Sequence, residues 1–223
     1  MQFQKNSFRF LKDLQKNNNR DWFTEHKPTF IEIQKQVKEF FLEMQANLEK
    51  HDEIDKMKIY RIYRDVRFSK DKTPYNPRLA VSFSRLGKQL RGGYFLQIKP
   101  GESMLGGGFW QPEKEDLLRI RKEIEQDATE FREILEDKNY LKYFGGKFRG
   151  DELKSAPRGF DKEHKDIDLL RKKGFIAIRN FTDEEVLSPN FLKELDDTLK
   201  ALRPFFNLFS DVLTTNLNGE III

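Results

Sequence analysis

The chain has 223 residues, 35% of them charged and 37% hydrophobic, with 41 Lys/Arg against 37 Asp/Glu, so it is long enough to bury a core and carries a net charge of only +4. It contains no cysteine, which excludes disulfides, thiolate zinc sites and cysteine nucleophiles. No apolar run approaches the roughly 18 residues of a spanning helix, and the first residues offer no apolar leader segment, so the expectation is a cytoplasmic protein, not a membrane protein, folded as one domain over residues 1–223.

Phe3, Phe8, Phe10, Leu11 and Leu14 predict a short amphipathic helix, closed by the polar run from Gln15 to Asn19. Asn19 or Asp21 can cap the next helix, with Trp22 and Phe23 as anchors and Pro28 as an early helical residue. From there Phe30, Ile33, Val37, Phe40, Phe41, Met44 and Leu48 recur every three or four residues and carry the helix to about Lys50.

Two backbone readings compete for Ile59 to Phe68. As a strand, it puts Arg61, Tyr63, Asp65 and Arg67 on one face and Tyr60, Ile62, Arg64, Val66 and Phe68 on the other. As a helix, it buries the stripe Ile59, Ile62, Tyr63 and Val66. The β-prone residues and the lack of a good N-cap favour the strand. Asp71 to Pro77 is then a loop, because Pro74 and Pro77 hold the residues before them extended.

Next, Leu79, Val81 and Phe83 alternate with small residues, and Tyr94, Leu96 and Ile98 alternate beyond Gly87, Gly92 and Gly93, which predicts an antiparallel hairpin. Ser103 to Trp110, with Gly106, Gly107 and Gly108, makes a third strand of a meander. Glu113 to Glu125 reads as a helix with Leu117, Leu118, Ile120 and Ile124 inward, and Ala128 to Leu135 as another. An irregular stretch through Gly145, Gly150 and Pro157 leads to a short helix at Leu169 and Leu170 and a returning strand at Phe175 to Ile178. A last amphipathic helix over Phe191 to Leu202 is interrupted or restarted at Pro204. Helices, then strands, then helices predict an α+β fold: an antiparallel, meander-like sheet packed with N-terminal, middle and C-terminal helices.

Charge is segregated along this path. Lys56 to Lys99 holds 12 Lys/Arg against 2 Asp/Glu, a net of +10, which leaves −6 for the rest of the chain. Within it, Arg61 to Tyr75 interleaves five cations, two carboxylates and three aromatics. Such a surface attracts phosphates and carboxylates, which guanidinium groups bind bidentately.

Asn19-Arg20-Asp21-Trp22-Phe23 with His26-Lys27, the run Arg64-Asp65-Val66-Arg67-Phe68-Ser69-Lys70-Asp71-Lys72-Thr73-Pro74-Tyr75, the glycines before Phe109, and Pro157-Arg158-Gly159-Phe160 with His164 together resemble the DUF2461 family of uncharacterised proteins. The match spans nearly the whole chain, and the long central motif is its specific part. The resemblance implies a single α+β unit and brings no catalytic residues to carry over.

Three functional expectations follow. The first is a small anionic ligand, phosphorylated or carboxylated, bound in a basic cleft beside the sheet by Arg61, Arg64, Arg67, Lys72 and Tyr75; an enzyme acting on it would use Asp65 or Asp71 with His164 for proton transfer. The second is nucleic-acid binding by segment 56–99, where Tyr63, Phe68, Tyr75 and Tyr94 can stack on bases. The third makes the segment structural, its cations neutralised by acidic helix faces such as Glu113 to Asp127. No cofactor and no metal is expected: His26, His51 and His164 stand far apart, and the glycine triplet lacks the phosphate-loop pattern, so it reads as close packing against an aromatic or as a bulge. Nothing in the sequence specifies an oligomeric state.

Overall fold

Helix α1 (Lys5–Lys16) buries Phe8, Phe10, Leu11 and Leu14 along one face, and it ends where the polar run begins. Helix α2 (Arg20–Leu48) starts at Asn19, whose extended backbone and side-chain oxygen, accepting the Trp22 N–H at 2.9 Å, satisfy one of the donors that a helix start leaves open. Pro28 lies beyond the first turn of α2, so it removes one backbone donor from the helix interior. These features belong to a computed structural model that describes residues 2–216 and 219–222.

The sheet is antiparallel, with strands β1 (Ile54–Ile59), β2 (Leu79–Arg85), β3 (Gly93–Ile98), β4 (Ser103–Phe109) and β5 (Phe175–Phe181) paired in that order. The meander therefore stands as expected, and the fold is α+β. Glycines at positive φ make its turns: Gly87 and Gly92 between β2 and β3, and Gly101 between β3 and β4.

The strand expected from Ile59 to Phe68 is not there. β1 ends at Ile59, and residues 60–78 form a loop closed on itself by the antiparallel bridge between Tyr63 and Tyr75. The reason is local: the Asp65 and Asp71 carboxylates accept from the backbone N–H groups of Arg67 and Thr73, two residues on, an arrangement that competes with ladder pairing.

Between β4 and β5 come α3 (Lys114–Gln126), α4 (Thr129–Glu136), α5 (Lys138–Phe144) and α6 (Ile167–Leu170). On α3 only Ile120 and Ile124 are buried; Leu118, expected inward, is 51% exposed. After β5 follow α7 (Asp183–Val186), α8 (Phe191–Ala201) and α9 (Arg203–Thr214), with Pro204 in the first turn of α9, so the helix restarts there.

Contacts gather the chain into two compact units, each made of three separate segments, so neither is a contiguous piece of sequence. The first takes residues up to Phe83, Phe95–Leu105 and Asn180–Asp197. Its core joins the first two helices to the later chain: Phe40 meets Phe3 edge-on at 5.5 Å and stacks on Phe191 at 6.0 Å.

The second takes Ser84–Tyr94, Gly106–Arg179 and the chain from Thr198 on. Its centre is an aromatic cluster on α9, where Phe209 contacts Phe109, Phe131, Phe148, Phe175 and Phe205. A Cβ on Gly107 would lie 2.6 Å from both the Phe206 ring and the Gly93 carbonyl, so this glycine serves close packing against an aromatic, while Gly106 and Gly108 lie close against the Ala177 and Phe175 carbonyls of β5. In the same unit buried Arg85 lies over the Phe206 ring and donates to the Ser210 hydroxyl and the Arg91 carbonyl.

Candidate functional site

The loop 60–78 carries most of the residues expected to act, and it uses them on itself. Arg64 Nη1 donates to Asp71 Oδ2 at 2.5 Å, to the Thr73 carbonyl at 3.1 Å and to the Thr73 hydroxyl. Arg67 closes on Asp65 in a fork, Nη2 to Oδ2 at 2.6 Å and Nε to Oδ1 at 3.0 Å. Lys72 Nζ donates to the Val66 carbonyl at 3.0 Å.

These pairings hold both carboxylates ionised. The Thr73 N–H and then the Arg64 guanidinium lower Asp71 to about 2. The Arg67 guanidinium holds Asp65 below the usual carboxylate range, with a smaller contribution from the charge of Arg61. A carboxylate this acidic is a weak base near neutrality.

Tyr75 anchors the loop. It is buried, its ring stacks on Phe23 at 4.1 Å, and its backbone N–H and carbonyl both bond the Asn18 side chain, at 3.1 and 2.9 Å. Burial pushes its hydroxyl pKa up. Phe68 is the opposite: 97% exposed, with the Arg67 guanidinium 5.9 Å from its ring centroid.

His164 belongs to the second unit, and its partners lie within that unit. Nε2 donates to the Glu125 carbonyl at 3.2 Å, and Nδ1 accepts the Asp166 N–H at 3.1 Å, so both ring nitrogens are engaged by backbone. Asp166 is buried beneath Arg132, which also forks onto Asp168. His26 donates from Nδ1 to the Trp22 carbonyl at 2.8 Å and stacks on the Trp22 ring at 4.0 Å, and His51 pairs with Asp196 at 2.9 Å. Among the described residues no group of three or more His, Asp and Glu is placed to hold a metal ion.

Beside this loop the first unit carries a groove of about 350 Å³ between α2 and the end of β1, within the size range of small-molecule sites. Phe30, Ile31 and Val37 from α2 face Ile59, Tyr60, Ile62 and Leu79 across it. Its charged lining residues are Lys35, Lys38 and Arg78, with no carboxylate among them.

The engagement of these three cations is light. Lys35 makes an exposed pair with Glu32, one helical turn away, at 2.9 Å; Arg78 donates to a neutral partner, Gln97, at 2.6 Å; and Lys38 has no side-chain partner among the described residues. Sequence reasoning missed Lys35 and Lys38. The available signal was a second stripe on α2, Ile31, Gln34, Lys35 and Lys38, at the i, i+3, i+4, i+7 spacing and offset from the core stripe.

The class so defined is an α+β protein with a five-stranded antiparallel meander, a self-paired basic loop and a cationic, apolar-walled groove beside its edge strand. The chain belongs to the DUF2461 family: the family model, described as a conserved hypothetical protein, matches residues 6–208. No curated protein and no solved structure matches the chain. Among the described residues no helix is long and apolar enough to cross a membrane.

Proposed function

We propose that the protein binds a small amphiphilic anion, carboxylated or phosphorylated, in the groove between α2 and β1. The observation that carries this reading is a lining of three cations and seven apolar or aromatic side chains without a carboxylate. An apolar body would lie on Ile31, Val37 and Ile62 while its anionic head meets Lys38 and Arg78. Arg64, Arg67 and Lys72, with Asp65, Asp71 and Tyr75, support the site by fixing the loop that supplies Tyr60 and Ile62 to its wall.

The reading assigns binding and no reaction. For Asp65 or Asp71 to take a proton, each would have to give up the guanidinium and N–H partners that keep it ionised, and His164 would have to release two backbone partners. The cytoplasmic location expected from the sequence goes with this proposal.

The test is a thermal-shift panel of short alkyl carboxylates, alkyl phosphates and inorganic phosphate. A ligand at 100 times its Kd adds about 2.7 kcal/mol to stability. Alkyl anions should raise Tm, inorganic phosphate much less, and Lys38→Gln/Arg78→Gln should cut the shift by about half or more. No stabilisation by any alkyl anion would overturn the reading.

A second reading, single-stranded nucleic acid, is favoured by one observation: Phe68 stands fully exposed at the loop tip with Arg67 against its ring and Lys70 two residues on. Base stacking on an aromatic is worth about 1–3 kcal/mol. Binding of labelled oligonucleotides at low salt should weaken steeply with added salt and in Phe68→Ala; no binding at low salt would remove this reading.

A further inference from the structure

The second unit has a cavity of its own, about 430 Å³, at the end of β4 and along β5. Its walls are Trp110, Gln111, Arg149, Asp151 and Lys173, and Ile176 and Ile178 supply its apolar surface. Trp110 is 68% exposed, an unusual position for the side chain with the most apolar area to lose from water. A broad aromatic face left open beside cations is a platform for a second planar ring.

The cations are uncommitted. Neither Arg149 nor Lys173 has a side-chain hydrogen bond or ion-pair partner among the described residues, although their backbones are fixed: Arg149 exchanges both backbone bonds with Ile176, at 2.7 and 3.0 Å, and the Lys173 N–H donates to the Asp151 carbonyl at 2.8 Å. The rim is also close-packed. A Cβ on Gly174 would collide with the Trp110 carbonyl, and Gly150, at φ +133°, lies against the Gly174 carbonyl. Arg149, Lys173 and Trp110 therefore project from backbone that has little room to shift, which lowers the ordering cost of binding.

We infer that this cavity binds a planar ring that carries both hydrogen-bond donors and an anionic group, the chemistry of a nucleoside monophosphate or an aromatic carboxylate. The ring stacks on Trp110, Arg149 and Lys173 take the anion, and Asp151, the one carboxylate in the lining, accepts from a hydroxyl or amino group. Asp151 would repel a bare anion, so a ring-bearing ligand with donors suits the lining better than phosphate alone. The site shares no residue with the groove beside α2, so each proposal stands or falls by itself.

The chain has two tryptophans, Trp22 and Trp110, which makes the site directly observable. The four common nucleoside monophosphates, indole carboxylate, the free nucleosides and ribose phosphate are titrated while intrinsic fluorescence is followed, and the affinities are repeated calorimetrically on Trp110→Leu and Arg149→Gln. A saturable quench by at least one ring-bearing anion is expected, tighter by about tenfold than with its uncharged ring or its ring-free phosphate, and each substitution should weaken it by about tenfold. Nucleotide against indole carboxylate in the same titration decides the source of the ring. The inference is overturned by the absence of a saturable quench with any ring-bearing anion at millimolar concentration, by a quench that survives in Trp110→Leu, or by equal affinity for ribose phosphate.

Discussion

The loop 60–78 and the groove beside α2 lie next to each other in the same unit and invert the usual link between charge and availability. The loop has five cations between Arg61 and Tyr75, yet Arg64, Arg67 and Lys72 are already spent on Asp71, Asp65 and backbone carbonyls. The groove has three cations, two from adjacent turns of α2 and one from the distant Arg78, no carboxylate, and an apolar floor. Charge density in a sequence thus locates a structured segment; whether its donors are free depends on the acceptors that folding brings to them.

The largest expected effect falls on the loop's anchor. Tyr75→Ala removes a buried aromatic stacked on Phe23, which should cost about 3–5 kcal/mol in denaturant unfolding. A loss under 1 kcal/mol would mean that the loop is not moored as described. Next, Lys38→Gln/Arg78→Gln should weaken alkyl-anion binding by about tenfold or more while leaving the unfolding midpoint nearly unchanged, since neither side chain holds a charged partner. Equal losses of binding and stability would merge the two regions that the account separates.

A smaller effect is expected from Asp71→Asn, which deprives Arg64 of its carboxylate. Limited proteolysis should then cut faster between Arg64 and Thr73, and ligand affinity in the groove should fall far less than in Lys38→Gln/Arg78→Gln. The pH dependence has a definite sign. The folded-state pKa of Asp71, about 2, lies below its ordinary value of 3.8, so its contribution is complete above about pH 4 and is lost as pH falls through 2. Carboxyl resonances should show Asp71 titrating near 2, after most other carboxylates; a midpoint near 4 would deny the Thr73 and Arg64 bonds.

The helices and the meander were legible because their signals are repeated many times. The apolar stripe of α2 runs for seven residues from Phe30 to Leu48, Asn19 caps it, and the alternation in β2 and β3 is bounded by Gly87, Gly92 and Gly101. Two short helices were missed although each has a start signal: Asp137 caps α5 ahead of left-handed Gly145, and Thr182 with Glu185 forms a capping box on α7.

The loop was misread as strand because Tyr60, Ile62 and Val66 alternate with polar residues, while the decisive groups were the Asp65 and Asp71 carboxylates that fold back two residues. Of the groove, only the second stripe on α2, Ile31, Gln34, Lys35 and Lys38, was legible. Only tertiary structure brings Lys35 and Lys38 to Arg78 and Ile62. Trp110 was read merely as the end of a strand, because nothing in one dimension brings Arg149 and Lys173 to it.

The most direct test follows the cations themselves in the wild-type protein. Lysine Nζ and arginine Nε resonances would be recorded by NMR while a short alkyl carboxylate or alkyl phosphate is titrated. The account predicts saturable shifts at Lys38 and Arg78, with Arg64 and Arg67 unmoved in their pairs with Asp71 and Asp65. Shifts at Arg64 and Arg67 with Lys38 and Arg78 silent would contradict it, because the loop and not the groove would then hold the anion.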